Sequence, residues 1–78
     1  MKEKTIYTEN DVTKELIEEI KEAFKEYDVI NVSFNVTGRT CHMMLSEQLA
    51  EKMQDYDFSI EYNYGCKIQK RGANNETV

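Results

Sequence analysis

A chain of 78 residues is long enough for one domain only. Because so short a chain buries only about 60–65% of its unfolded surface, it has little core from which to build a deep active site. Fifteen acidic residues against ten basic ones give a formal net charge of −5, which disfavours non-specific binding to nucleic acid and docking on anionic membranes. The first residues do not resemble a secretion signal and no apolar run is long enough to span a bilayer, so we expect a cytoplasmic protein.

The first third of the chain predicts a strand followed by a helix. Residues 4–8 are rich in β-forming residues and indicate a short strand. Apolar residues then recur at steps of three and four, which predicts an amphipathic helix over residues 11–27 with N-cap candidates between Thr8 and Asp11. The apolar stripe of this helix contains Val12, Leu16, Ile17, Ile20, Ala23, Phe24 and Tyr27.

The middle of the chain predicts a hairpin and a second helix. Residues 30–36 alternate between apolar and small polar side chains, which is typical of a half-buried strand. Gly38 marks a turn, after which residues 40–45 are expected to return as the second arm of the hairpin. Ser46 is a suitable N-cap for a shorter helix over residues 46–55. The buried stripe of that helix would consist of Leu49, Ala50 and Met53.

The last third predicts at least one more strand. Residues 58–64 alternate cleanly, and Gly65 marks a turn or a bulge. Residues 66–70 then either extend this strand or fold back as a further one. Residues 72–78 have little apolar content and are expected to be a disordered tail after a single domain over residues 1–71.

These elements predict an α+β fold with two layers. We expect an antiparallel sheet of three to five strands with two helices on one face, in the order β-α-β-β-α-β. This is the ferredoxin-like order if the N-terminal strand forms.

Cys41, His42 and Cys66 are the soft metal ligands of the chain. A structural zinc site usually needs four ligands, and adjacent residues of a strand point to opposite faces, so we expect no metal and no cofactor. The favoured interpretation makes both cysteines small core residues and His42 an exposed strand residue. A Cys41–Cys66 disulfide and a catalytic Cys41–His42 pair are less favoured alternatives.

The largest coherent charged surface lies on the outer face of the first predicted helix. It is either a solvated face or an acidic surface that meets a basic partner. The residues that would form it are Glu15, Glu18, Glu19, Glu22 and Glu26. Tyr56 and Tyr64 lie near element ends, where a half-exposed ring suits an interface anchor.

Direct binding of nucleic acid is not expected. The basic cluster of Lys67, Lys70 and Arg71 has only three charges. An RNA-binding sheet would show aromatic side chains on its open face, where this sequence predicts small polar and acidic ones. Those residues are Asn31, Ser33, Asn35, Ser59, Glu61 and Asn63.

The sequence therefore favours a non-enzymatic, acidic binding protein that acts on a protein partner. A particular form is an inhibitor that masks a basic nucleic-acid-binding surface, as phage-encoded blockers of host systems do. The alternative is a small-molecule-binding or catalytic domain that works as an oligomer, with Asn35, Arg39 and His42 around the Gly38 turn. No residue motif identifies a family.

Overall fold

The structure, a computed structural model, describes residues 2–61 and 65–70. The predicted tail at residues 72–78 lies outside this part of the chain. The described elements follow one another in the order β-α-β-α-β-β. Their bounds are β1 Glu3–Thr8, α1 Lys14–Ala23, β2 Val29–Phe34, α2 Arg39–Lys52, β3 Tyr56–Glu61 and β4 Gly65–Lys70.

The four strands form one mixed sheet in the order β1-β2-β4-β3. β1 is parallel to β2, while β4 is antiparallel to both β2 and β3. The parallel pair follows from the helical crossover that joins its two strands, since a tight hairpin can connect only antiparallel strands. The predicted α+β class, with two helices and a sheet of three to five strands, is confirmed. The sheet is mixed where an antiparallel one was expected.

One face of the sheet and both helices share a single apolar core. Strand residues alternate between the two faces, and the helix-facing positions contribute Ile6, Ile30, Val32, Phe34, Cys66 and Ile68. The helices add Leu16, Ile20, Phe24, Leu45, Leu49 and Met53 to the same cluster. Because α1 and α2 bury their side chains in one cluster, both helices cover the same face of the sheet.

The opposite face of the sheet is polar, as the sequence predicted for Asn31, Ser33, Ser59 and Glu61. Asn31 is only 7% exposed, and its Nδ2 donates to the Glu3 carboxylate of β1. The face also carries an aromatic residue that the prediction had not placed there, because Tyr7 of β1 is 81% exposed. Of the other residues predicted for this face, Asn35 lies beyond the end of β2, and Asn63 is outside the described residues.

Helix α1 confirms the predicted apolar stripe but is shorter than residues 11–27. It begins after Thr13, whose hydroxyl oxygen accepts a hydrogen bond from the Leu16 amide at 3.1 Å. This bond satisfies one of the free amides at the helix start, which makes Thr13 the N-cap in place of the earlier candidates. After Ala23 the chain continues as a turn, closed by the Tyr27 amide donating to the Ala23 carbonyl at 2.9 Å.

The predicted strand over residues 40–45 is wrong, because these residues form the first half of α2. The alternation of Cys41, Met43 and Leu45 imitates a strand. The helical stripe that packs on the sheet contains two polar residues, His42 and Ser46, and is therefore inconspicuous. Ser46 is consequently a buried residue inside the helix instead of its N-cap.

The two alternatives for residues 66–70 are resolved in favour of a separate strand. These residues fold back antiparallel to β3, with Phe58 opposite Ile68 and Ile60 opposite Cys66. β4 thereby takes the position beside β2 that the hairpin prediction had given to residues 40–45.

Candidate functional site

A cleft of about 500 Å³ runs between β1 and the C-terminal end of α1. It is lined by Lys4, Glu19, Glu22, Ala23, Lys25, Glu26 and Tyr27. The chain is fixed at this point because Asp28 and Lys2 are joined by two hydrogen bonds. The Asp28 amide donates to the Lys2 carbonyl at 2.8 Å, and the Lys2 amide donates to the Asp28 carboxylate at 2.9 Å. These bonds hold the end of the α1–β2 connection against the start of β1.

The cleft combines carboxylates with an aromatic ring that already carries a cation. The Lys4 ammonium lies 5.5 Å from the centroid of the Tyr27 ring, within the range of a cation–π contact. Lys25 and Glu22 form an ion pair at 3.1 Å, and both side chains are more than 70% exposed. Since a surface pair of this kind contributes at most about 1 kcal/mol, it leaves Glu22 available to another cation.

The structure places all five predicted acidic residues at the surface. Three of them, Glu19, Glu22 and Glu26, line the cleft, whereas Glu15 and Glu18 lie on α1 outside it. The sequence did not identify Lys4 and Tyr27 as part of this site. Tyr27 belonged to the predicted apolar stripe, and nothing local indicates that β1 lies beside the end of α1.

Of the two predicted tyrosine anchors, Tyr56 is among the described residues. Tyr56 is only partly exposed, packs against the core and stacks on Phe24 with ring centroids 4.8 Å apart. The stacking makes it a structural residue that ties the end of α1 to β3. Tyr64 lies outside the described residues, so its role as an anchor stays a prediction.

The alternative site around Gly38 does not assemble as the sequence suggested. Gly38 has a φ of 92° and leads into α2 instead of a hairpin arm. Asn35 and Arg39 are exposed, but His42 is only 6% exposed. The prediction of an exposed strand histidine is thus wrong, because position 42 lies on the helix face that packs against the sheet.

A buried polar cluster lies between α2 and β4. The Nδ1 atom of His42 and the hydroxyl of Ser46 have no hydrogen-bond partner among the described residues. Burial raises the pKa of the Cys66 thiol from an ordinary 9.0 to about 11, and the nearby Ser46 hydroxyl lowers it slightly without meeting the geometry of a full hydrogen bond. Both cysteines are free thiols. Cys66 is a core residue as predicted. Cys41 is exposed, so the prediction that it is a core residue is wrong.

The raised pKa of Cys66 predicts a loss of stability in alkaline solution. Below about pH 9 the thiol is protonated in both the folded and the unfolded chain. Between 9.0 and about 11 only the unfolded chain loses the proton, which lowers the free energy of unfolding by on the order of 2–3 kcal/mol. Denaturant titrations across this range would measure the slope. In Cys66→Ala the unfolding free energy should fall less steeply with pH, because this thiol is absent. A slope equal to that of the wild type would contradict the raised pKa of Cys66.

Within the described residues, no three His, Cys, Asp or Glu side chains are grouped so that they could hold a metal ion. No helix in this part of the chain is both long and apolar enough to cross a bilayer. No protein-family model, curated protein or solved structure matches the chain. A fold alone does not imply a function, so the chemistry of the surfaces is what indicates one for this protein.

Proposed function

We propose that this chain is a non-enzymatic binding module whose acidic face on α1 engages a basic surface of a protein partner. The observation that supports it is the row of exposed carboxylates along α1, which ends in a cleft that already accommodates an ammonium group. The acidic face is defined as Glu15, Glu18, Glu19, Glu22 and Glu26.

Apart from Glu15 in the first turn, the carboxylates of the acidic face do little to stabilise α1. Of the five, only Glu22 forms an ion pair with another described residue. Glu15–Glu19 and Glu18–Glu22 are spaced four residues apart within α1, where like charges destabilise a helix by about 0.2–0.5 kcal/mol per pair. A partner that brings cations would remove this repulsion, so binding and helix stability would favour each other.

The contact between Lys4 and Tyr27 supports a specific mode of recognition. The Lys4 ammonium lies over the Tyr27 ring, in a cleft lined by Glu19, Glu22 and Glu26. A lysine or arginine of the partner that entered this cleft would meet the same ring and the same carboxylates. Arginine suits such a site well, because its planar group stacks on a ring and donates to carboxylates at the same time.

In the more specific form of the proposal, the partner's basic surface is one that binds nucleic acid. The ten residues of α1 span about 15 Å, so its carboxylates can meet several lysine or arginine side chains at once. Those side chains would otherwise neutralise phosphates, and occupying them would block nucleic-acid binding. The protein would then act as an inhibitor in the cytoplasm of its host, in the manner of a phage or mobile-element protein.

Comparative capture from a lysate of the native host tests this proposal. The baits are the wild type, Glu18→Lys/Glu22→Lys on the acidic face, and Glu47→Lys/Glu51→Lys on the exposed side of α2. Both double variants change the net charge equally and at the same spacing, and the Glu22–Lys25 ion pair lost in the first is an exposed one of little energetic weight. We expect a protein that is recovered by the wild type and the α2 variant but lost with the α1 variant. Recovery that is equal for all three baits, or lost with both double variants, would contradict the proposal.

A further inference from the structure

The two halves of α2 are anchored to the sheet unequally. In the C-terminal half, Leu49 is fully buried and Met53, the residue that ends the helix, is 2% exposed. Among residues 39–46, which include the first two turns of the helix, the buried residues are Leu45, His42 and Ser46, of which only Leu45 is apolar. Met44 points away and is 53% exposed. Residues 39–46 thus bury one apolar and two polar side chains against the sheet, whereas the end of the helix is held by the two apolar side chains of Leu49 and Met53.

The start of α2 also lacks the features that stabilise the start of α1. Helix α1 has the Thr13 cap and an acidic residue, Glu15, in its first turn. Helix α2 begins after Gly38, which supplies no side-chain cap, and its first turn contains no acidic residue. A cap contributes about 1 kcal/mol, and a first-turn acid adds to it through the helix dipole.

The two unpaired polar groups further weaken the attachment of this half. His42 Nδ1 and the Ser46 hydroxyl have lost water without gaining a partner among the described residues. Both would be solvated again if the segment left the sheet, so their burial favours the open form. Residues 40–45 also alternate as a strand would, so their local sequence pattern does not favour the helix that they form.

We propose that residues 39–46 open away from β4 as a local unit while the rest of the domain stays folded, and that this opening gates access to the Cys66 thiol. In the closed form Cys66 is fully buried, and burial keeps its thiol protonated. In the open form the thiol and the apolar face of β4 meet solvent. Gly38, with its positive φ and free surroundings, is the hinge at one end, while Leu49 holds the other. This device is independent of the acidic face.

Thiol labelling under native conditions tests the gate. A Cys41→Ser background removes the exposed thiol and leaves Cys66 as the only target of iodoacetamide. When closing is faster than labelling, the labelling rate reports the population of the open form. Ser46→Ala removes one unpaired group and adds a better helix former, so it should slow the labelling about 5–10-fold.

A second variant separates local opening from global unfolding. Thr13→Ala removes the α1 cap and should lower the melting temperature by about 4–8 °C. With a local gate in α2, this change leaves the Cys66 labelling rate within about twofold of its parent. Three results would overturn the gate. They are labelling that accelerates in Thr13→Ala in proportion to the lost stability, labelling that Ser46→Ala does not slow, and a Cys66 that reacts only in denaturant.

Discussion

Replacing Gly65 with alanine is expected to abolish the cooperative thermal transition of the domain. A Cβ at this position would lie 2.1 Å from the backbone carbonyl oxygen of Val32, and the φ of 151° is one that other residues rarely adopt. Gly65 begins β4 and lies opposite Ser33 in β2, so the clash would separate the two central strands of the sheet. A domain of this size has a free energy of unfolding of only a few kcal/mol, and the cost of displacing the backbone in this way exceeds it.

Gly38→Ala is the matched control for this experiment. Gly38 also has a positive φ, but nothing lies within 4 Å of the position of its Cβ. The strain alone should cost about 1–3 kcal/mol and lower the melting temperature without abolishing the transition. Circular dichroism melts of both variants make the comparison. A Gly65→Ala variant that melts cooperatively within a few degrees of the wild type would show that β4 approaches β2 less closely than described.

Phe24→Ala should destabilise the domain by about 3–5 kcal/mol, enough to unfold much of the population. Phe24 is 4% exposed and follows the last residue of α1. Its ring stacks on Tyr56 of β3, at the far edge of the sheet from β1, with the ring planes 17° apart. The substitution therefore removes both a core side chain and a contact between the end of α1 and the edge of the sheet.

Phe24→Leu separates these two contributions. Leucine retains most of the apolar burial but cannot stack on Tyr56, so we expect a loss of about 0.5–1.5 kcal/mol. Chemical denaturation with a common slope would give both values. A Phe24→Ala variant that unfolds at the wild-type midpoint would contradict the assignment of Phe24 to the core.

Those parts of the fold whose buried residues are all apolar could be predicted from the sequence. The α1 stripe and the helix-facing sides of β2 and β3 are examples, because local periodicity indicates which side chains face the core. The other side of β2 is not an example, since Asn31 is buried there although the alternation predicts an open face. Helix α2 could not be predicted in full, since its buried face contains His42 and Ser46, whose burial depends on packing against a distant strand. The position of β4 between β2 and β3 likewise depends on contacts between residues far apart in the chain, which give no local signal in the sequence.

The candidate site, too, could be predicted only where local sequence patterns indicate it. The exposure of the acidic face could be predicted, because those residues lie opposite the apolar stripe of α1. The cleft could not, because Lys4 reaches Tyr27 only through the parallel pairing of β1 with β2 and the hydrogen bonds between Lys2 and Asp28. The stacking of Tyr56 on Phe24 could not be predicted either, because a position near the end of a strand does not reveal a stacking partner elsewhere in the chain.

The acidic-face proposal is tested most directly by the association rate of the chain with its captured partner. Charge complementarity acts mainly on association, and salt screens it. The wild-type rate should therefore fall between low and physiological salt. At low salt the rate for Glu18→Lys/Glu22→Lys should be lower by about tenfold or more, while Glu47→Lys/Glu51→Lys should stay within about threefold of the wild type. Association rates that respond neither to salt nor to reversal of Glu18 and Glu22 would contradict the proposal.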